Sequence, residues 1–311
     1  MRQPLIRPMQ QSDLDAADRV HRIAFGTRFG LPDPSSFRGD AEVVRLRWAT
    51  DAPTSFVAEV DGHVIGGACA MDWGSAFIVG PVFVHPDHAG QGIARALVST
   101  MLTLVDARAA RFAGLFTFPE SATHLRLYEG FGFVSQALTP ILTKPVGSRP
   151  SQGVALFSKL SDVERESALR QCRSVADAIF PGLDLTREIR AVAALGLGDT
   201  ILVRSRQDIC GFALCHCGAG SEGGSGTLFI KFATVRPHAA EDFAHLLDCA
   251  EGLASIVGAE RIVAGTNTAR AGAYRIMRER GYRAGLVGVA MHRPDAPGYN
   301  RPEVFAIDDW R

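Results

Sequence analysis

At 311 residues the chain is about twice the length of an ordinary single domain, so two separate cores are expected. Lys plus Arg and Asp plus Glu each number 33, and the resulting zero net charge gives no electrostatic reason to expect nucleic acid or an anionic membrane as a partner. Apolar residues make up 47%, yet no apolar run approaches the ~20 residues of a membrane span and the first eleven residues lack a signal-peptide core, so a cytosolic protein is expected.

In chain order, Leu5-Ile6-Arg7 reads as a short strand. Ser12, with Asp15 three residues on, offers an N-cap for a helix through Leu14, Ala17, His21 and Ala24. Ser55-Phe56-Val57-Ala58 and Val64-Ile65-Gly66-Gly67 predict a hairpin over the Asp61-Gly62 turn. Val82-Phe83-Val84 predicts a strand that stops at Pro86. The turn Ala89-Gly90-Gln91-Gly92 then runs into a helix with apolar residues at Ala94, Leu97, Val98, Met101, Leu102 and Val105.

That junction has a physical use. The first amides of a helix lack internal partners and the aligned peptide dipoles leave the end partly positive, so an anion, most often a phosphate, belongs there. Gly90 and Gly92 carry no Cβ and let backbone N–H groups approach closely, and Ala94 keeps the first turn slim. No Gly-Lys-Ser/Thr follows and there is no three-glycine fingerprint, so neither a Walker loop nor a dinucleotide site is indicated. A tight turn that binds nothing is the alternative.

The same order of elements recurs about 150 residues later. Ala155-Leu156-Phe157 is strand-like, and Ser161-Asp162-Val163-Glu164 is a capping box opening a helix through Leu169, Cys172, Val175 and Ala176. Thr200 to Val203 with Ile209 to Phe212 matches the first hairpin, Val235-Arg236-Pro237 answers Val84-His85-Pro86, and a late helix closes on Gly281-Tyr282 as its forerunner closes on Gly132-Phe133. A tandem duplication is expected, joined near Lys144 to Gly153, where Pro, Gly and polar residues cluster. The last stretch, Pro302 to Arg311 with Val304-Phe305-Ala306-Ile307, is expected to be the second half's final strand.

The halves are not equivalent. Where the first has Ala89, Gly90, Gly92 and Ala94, the second has Ala240, Glu241, Phe243 and His245. A carboxylate and an aromatic ring at that junction predict that the second half binds no phosphate. The six cysteines show no zinc-type pair of pairs. Cys215 and Cys217 share one face of an apolar strand-like run and are expected to be reduced structural thiols, and no metal site is expected.

Val84-x-Pro86 followed by Gly90-Gln91-Gly92-Ile93-Ala94-Arg95-Ala96-Leu97 resembles the acyl-CoA-binding motif of the GNAT superfamily of N-acetyltransferases, whose pattern is Gln/Arg-x-x-Gly-x-Gly/Ala. Ala89 stands in place of the first Gln or Arg. The order of elements resembles the GNAT fold over nearly the whole chain. This implies an α/β (α+β) protein of two tandem GNAT folds, each a mixed, mostly antiparallel central sheet flanked by helices. Residues 1–146 would form an N-terminal domain with the acyl-CoA site and 147–311 a degenerate C-terminal domain.

The resemblance also implies roles. Backbone groups of Val82, Phe83 and Val84 would lie along the pantetheine, and the turn Ala89, Gly90, Gln91, Gly92, Ile93, Ala94 and Arg95 would hold the pyrophosphate. Tyr128, in Leu127-Tyr128-Glu129-Gly130-Phe131-Gly132-Phe133, resembles the tyrosine that often protonates the departing sulfur. A phenol near ~10 facing a thiolate near ~8.5 gives up its proton uphill by about 2 kcal/mol, so hydrogen bonding is as good a role as transfer. Ser121 and His124 stand where the family usually has Asn and Ala on the cofactor-side helix. The general base is open among Asp72, His85, His88, Glu120 and His124. The segment Phe25 to Pro34 is expected to wall the acceptor pocket, with Arg28 and Asp33 available to orient a charged acceptor. In the second half, Arg270 and Tyr274 share a helix face that would line a common cavity.

The implied activity is transfer of an acetyl group from acetyl-CoA to a primary amine of a small molecule or peptide. Attack would be direct, in a ternary complex, since no cysteine lies in a motif suggesting an acyl-enzyme. A non-catalytic CoA-binding or acyl-CoA-binding sensor or scaffold is the alternative.

Overall fold

The computed structural model describes residues 4–108, 110–147 and 153–311. The first half runs β1 (Leu5–Pro8), α1 (Leu14–Arg28), α2 (Val43–Thr50), β2 (Ser55–Val60), β3 (His63–Trp73), β4 (Ala76–Val84), α3 (Ile93–Ala107), β5 (Phe112–Thr117), α4 (Ala122–Glu129) and β6 (Val134–Pro145). The second runs α5 (Asp162–Ile179), α6 (Thr186–Leu195), β7 (Gly198–Ser205), β8 (Asp208–Gly218), β9 (Gly224–Val235), α7 (Ala240–Ile256), β10 (Arg261–Gly265), α8 (Ala271–Glu279) and β11 (Arg283–Arg293), with β12 (Ala306–Ile307) in the tail. Ser148 to Gln152, the middle of the expected join, lies outside the described residues.

Local chemistry accounts for most element ends. Asp61 and Gly62 both have positive φ, 50° and 80°, as the tight turn between β2 and β3 requires. The Ser161 amide donates to Glu164 (2.8 Å), completing the capping box of α5. Ser12 does not cap α1. A 3-10 turn precedes the helix, and Asp13 reaches back to accept the Gln10 amide (2.8 Å) while also holding Arg7 (2.6 Å). Ala155 to Phe157 forms no strand beyond a single bridge from Leu156 to Ile201, because the chain turns at once into a 3-10 turn over Phe157–Lys159.

All twelve strands of the described residues join one sheet, in the order β1-β2-β3-β4-β5-β11-β6-β10-β9-β8-β7, with β12 added beside β9. Only β4 with β5 and β9 with β10 are parallel pairs; the other pairs are antiparallel. The centre of this order is an exchange. β11, from the second half, pairs with β5 of the first, and β6, from the first, pairs with β10 of the second, while β6 and β11 pair with each other. Each half thus covers the other's open strand edge. The second half's main final strand is therefore β11, and Val304 to Ile307 contributes only the two-residue β12.

Helices cover both faces. Val98 and Met101 of α3 pack on Phe77 and Val79 of β4, while Ala17 and Val20 of α1 meet Val57, Cys69 and Phe83 from the other side. In the second half Leu246 and Leu253 of α7 pack on Ile201 and Ile230, and α5 and α6 bury Leu169, Val175 and Ile189 on the opposite face. That last cluster extends across the junction through Trp73, Phe112, Tyr299 and Trp310. Trp310 Nε1 donates to the Tyr299 hydroxyl (2.8 Å). Among the described residues no helix is long and apolar enough to cross a membrane.

Candidate active site

The site begins with a defect in β4. Ala70 of β3 faces Val79 and Ala68 faces Val82, so Gly80 and Pro81 bulge out of register. β4 pairs with β5 only over Ala76 to Ile78, against Phe112 to Gly114. Beyond the bulge the two strands part, leaving the Val82 to Val84 backbone free on that side. A cavity of about 980 Å³ opens in the gap.

One end of this cavity is the glycine turn. Gly90 and Gly92 have φ of 76° and 80°, a conformation that strains any residue with a Cβ, and above each there is open space rather than protein. Gly92 sits at the N-cap of α3, so the free amides of the first helical turn face the opening. The opposite wall is α4, which presents His124, Leu127 and Tyr128. Burial raises the Tyr128 phenol to about 12, and it makes no hydrogen bond among the described residues. Ser121 accepts the His124 amide (3.4 Å) and caps α4.

Past the bulge the same cavity continues as a chamber with an aromatic wall. Phe37 stacks on Phe25 and Phe29 at centroid distances of 5.7 and 5.6 Å, and the Arg28 guanidinium lies 4.0 Å over the Phe118 ring while pairing with Glu120 (2.7 Å) at the mouth. His21 is buried among Phe25, Phe37 and Phe83. Burial, reinforced by the Arg38 charge, pushes its imidazole down to about 3, so it stays neutral.

The second half supplies the rest of this chamber, through Glu222, Phe229, Leu286, Trp310 and Arg311. Its floor is a buried charge network. Arg47 donates to both oxygens of Glu222 (2.8 and 2.9 Å) and to the Gly80 carbonyl (3.0 Å), and Lys231 bridges Glu222 (2.8 Å) and Glu188 (2.9 Å). Burial alone would raise Glu222, but Arg47 and Lys231 outweigh it and hold the carboxyl well below its usual range. Removing one member would leave an uncompensated charge, worth about 3–5 kcal/mol.

The corresponding cleft of the second half is closed. β9 bulges at Lys231, as β4 does at Gly80-Pro81, and also parts from its parallel neighbour. Here the chain's own tail enters. Ala306 and Ile307 pair with Thr234 and Ala233, and the Phe305 carbonyl accepts the Val235 amide (3.3 Å). Arg270, fully buried, clamps the tail through both oxygens of Asp308 (2.9 and 3.1 Å). Phe243, expected to obstruct a phosphate, instead points into the core and packs on Phe305 (5.7 Å), and Glu241 is exposed. The tail segment, rather than those two side chains, fills the space. Arg270 and the partly buried Tyr274 do not line the open cavity.

Of the residues singled out in sequence, Val82, Phe83, Val84, Ala89, Gly90, Gly92, Ile93, Ala94, Arg95, His124 and Tyr128 line one cavity. Gln91 points to solvent and Ser121 is spent as a cap, so neither does. Phe83 offers only backbone there, its ring being buried against His21. Asp72 lies away from the site, paired with Arg108 (2.5 Å), and Asp33 caps Ser35 (3.0 Å) rather than facing the chamber. His88 lines the cavity; His85 does not, and its Nδ1 accepts the Asp87 amide (3.3 Å). The stretch from Phe25 to Arg28 is the end of α1 rather than a loop. Sequence reasoning missed Arg38, Arg47, Glu222, Phe229, Trp310 and Arg311, which converge from four distant segments. Their one local signal is the backbone at Arg38 and Trp310, with φ of 64° and 57°, and that is visible only in the structure. Among the described residues no cluster of His, Cys, Asp and Glu could hold a metal ion, and all six cysteines are free.

Residues 51–135 match the family model of the acetyltransferase (GNAT) domain. No curated protein matches the sequence. A provisionally assigned acetyltransferase from Pyrococcus horikoshii aligns with TM-score 0.72 at 14% identity, over 100% of this chain and 96% of its own. A GCN5-related N-acetyltransferase from Sphaerobacter thermophilus gives 0.62 at 18% identity, over 93% and 95%. A GCN5-related glucosamine N-acetyltransferase region of a fungal multi-domain GH3 β-N-acetylglucosaminidase gives 0.62 at 12% identity, over 93% of this chain and 38% of that one. At these identities the likenesses are of fold. Together with the family match over the strand, turn and helix of the open cleft, they show a GNAT acetyltransferase domain over residues 51–135 and a GNAT-like fold over the whole chain, the second half's cleft being filled by the chain's own tail.

Proposed function

We propose that the protein is an N-acyltransferase that moves an acetyl group from acetyl-CoA to a primary amine, using the cleft of the first half alone. The observation that carries this reading is the contrast between the two clefts: the same bulged strand and parting neighbour are open beside a glycine turn in one half and occupied by residues 305–308 in the other. The residues fit the cofactor. Open space above Gly90 and Gly92 suits a diphosphate at the α3 N-terminus, and the free edge of Val82 to Val84 suits an extended pantetheine amide chain.

Acetyl-CoA would supply an acyl group activated as a thioester. The protein's part is to hold that group at the bulge, exclude water and stabilise the sulfur as it leaves. The amine enters from the aromatic chamber, its nitrogen bonds to the acyl carbon as the carbon–sulfur bond breaks, and the proton the nitrogen sheds is taken up by the departing sulfur, giving an amide and free CoA thiol. Tyr128 donates a hydrogen bond to the sulfur. With its phenol at about 12, full proton transfer to a thiolate near ~8.5 would run uphill by roughly 5 kcal/mol.

Calorimetric titration with acetyl-CoA and with free CoA tests the reading. One site per chain, followed by thiol release with amines, is the expected result. Two sites would contradict the filled second cleft. Binding without thiol release across a broad amine panel would favour a CoA-responsive scaffold instead.

A further inference from the structure

One cation of the acceptor chamber has no carboxylate of its own. Arg47 and Lys231 share Glu222 and Glu188, Arg311 pairs with Asp309 (2.9 Å) and Arg28 with Glu120 (2.7 Å). Arg38 is the remainder. Among the described residues no carboxylate lies within ion-pair distance of it, and its guanidinium donates only to the backbone carbonyl of Glu222 (2.5 Å). Burial, with the nearby Arg311 charge, pulls it down to about 10, while the more distant Glu222 and Asp309 carboxylates act the other way. Arg95 and Arg126 belong to the other end of the cavity, beside the glycine turn and α4.

The backbone around Arg38 is built to hold it there. Its φ of 64° lies in the left-handed region that a long side chain rarely adopts, and such strain persists only where the surroundings enforce it. They do so from both halves. Arg22 donates to the carbonyls of Phe37 (2.8 Å), Gly39 (2.7 Å) and Ala41 (2.7 Å), and Asp40 accepts both the amide (2.9 Å) and the hydroxyl (2.5 Å) of Ser225. A rigid loop thus presents an unpaired guanidinium next to the Phe25, Phe29 and Phe37 stack.

We infer that the acceptor is an amine carrying a single carboxylate on an aromatic or apolar body, of the amino-acid class, and that Arg38 recognises the carboxylate. A neutral amine would leave the Arg38 guanidinium with only its backbone partner. The stacked rings suit the body of such a molecule, and a guanidinium suits its carboxylate. The inference rests on the acyltransferase reading above.

The test is thiol release with acetyl-CoA from three matched amines, L-phenylalanine, L-phenylalaninamide and 2-phenylethylamine, in the wild type, Arg38→Gln and Arg38→Lys. Calorimetric binding of N-acetyl-L-phenylalanine and its amide, which needs no turnover, is run beside it. A preference of about 100-fold in kcat/KM for the carboxylate is expected, collapsing to within about threefold in Arg38→Gln and partly restored in Arg38→Lys. Turnover of amines without that preference, or an equal loss for all three in Arg38→Gln, would overturn the inference and leave the acyltransferase standing. Carboxylate binding that depends on Arg38, without turnover of any amine, would support the inference and remove the acyltransferase. Neither binding nor turnover of the carboxylates would overturn it.

Discussion

Thr139 of β6 lies directly opposite Gly288 of β11, and the two hold matching places in the two halves of the sheet, separated by the same 149 residues as Gly132 and Gly281. A local two-fold axis therefore passes through this pair, and the strand exchange is symmetric about it. The two positions are used differently. Thr139 Oγ1 accepts from Asn267 (3.0 Å), whereas a Cβ on Gly288 would lie 2.0 Å from the Phe116 ring. Gly288→Ala should destabilise the protein by about 1–3 kcal/mol, read as a lower urea midpoint with an unchanged slope. A midpoint within error of the wild type would mean that the ring yields freely and the seam is looser than it looks.

Gly92→Val should abolish acetyl-CoA binding by calorimetry, with a stability loss of only about 1–2 kcal/mol from forcing φ near 80° on a branched residue. Retained binding would remove the turn from the site. The companion change Glu241→Gly, which removes a carboxylate from the first turn of α7, should leave the stoichiometry at one, because the tail still occupies that cleft.

Tyr128→Phe should lower kcat about 10- to 100-fold while changing the affinity for acetyl-CoA less than about threefold, since the phenol acts on the sulfur as charge develops. With the phenol at about 12 it is protonated throughout the accessible range, so the wild-type pH profile should show no descending limb from Tyr128 below about pH 10. A limb near pH 9 that vanishes in the Phe variant would show that the tyrosine is far more acidic than its burial dictates.

His21 and His216 predict acid sensitivity. Burial holds them down to about 3 and about 4, against ~6.5 in an unfolded chain. As pH falls below ~6.5 the unfolded state takes up protons that the folded state refuses, so stability is full above that value and declines beneath it, by about 2 kcal/mol per histidine at pH 5. Both nitrogens of His216 are buried without hydrogen-bond partners among the described residues. His216→Leu should therefore be neutral or stabilising at pH 7 and should flatten the decline in urea stability between pH 7 and pH 5. An unchanged slope would mean that His216 is charged in the folded protein.

How much of this was legible depended on whether the signal was local. The glycine turn before Ile93, the Asp61-Gly62 hairpin and the capping box at Ser161 each write their structure into a few adjacent residues, and each formed as read. The exchange of β6 and β11 did not show, because an edge pairs through backbone groups that every residue carries. The chamber was invisible for a related reason. Arg38, Glu222 and Trp310 are far apart in sequence, and Arg38 is left with a backbone partner only because the Glu222 carboxylate has been taken by Arg47 and Lys231. Phe243 was misread because its position in the repeat was known but its rotation about the α7 axis was not.

The tail has a thermodynamic consequence. A half whose cleft is filled by residues 305–308 carries the occupant covalently and at high effective concentration, so a ligand added to solution has to displace that segment before it can stabilise this half. The unbroken sheet ties that self-saturated half to the responsive one. Acetyl-CoA bound to the first should therefore raise the melting of the entire chain as one cooperative transition, by RT ln(1 + [L]/Kd), rather than splitting it into a shifted and an unshifted step.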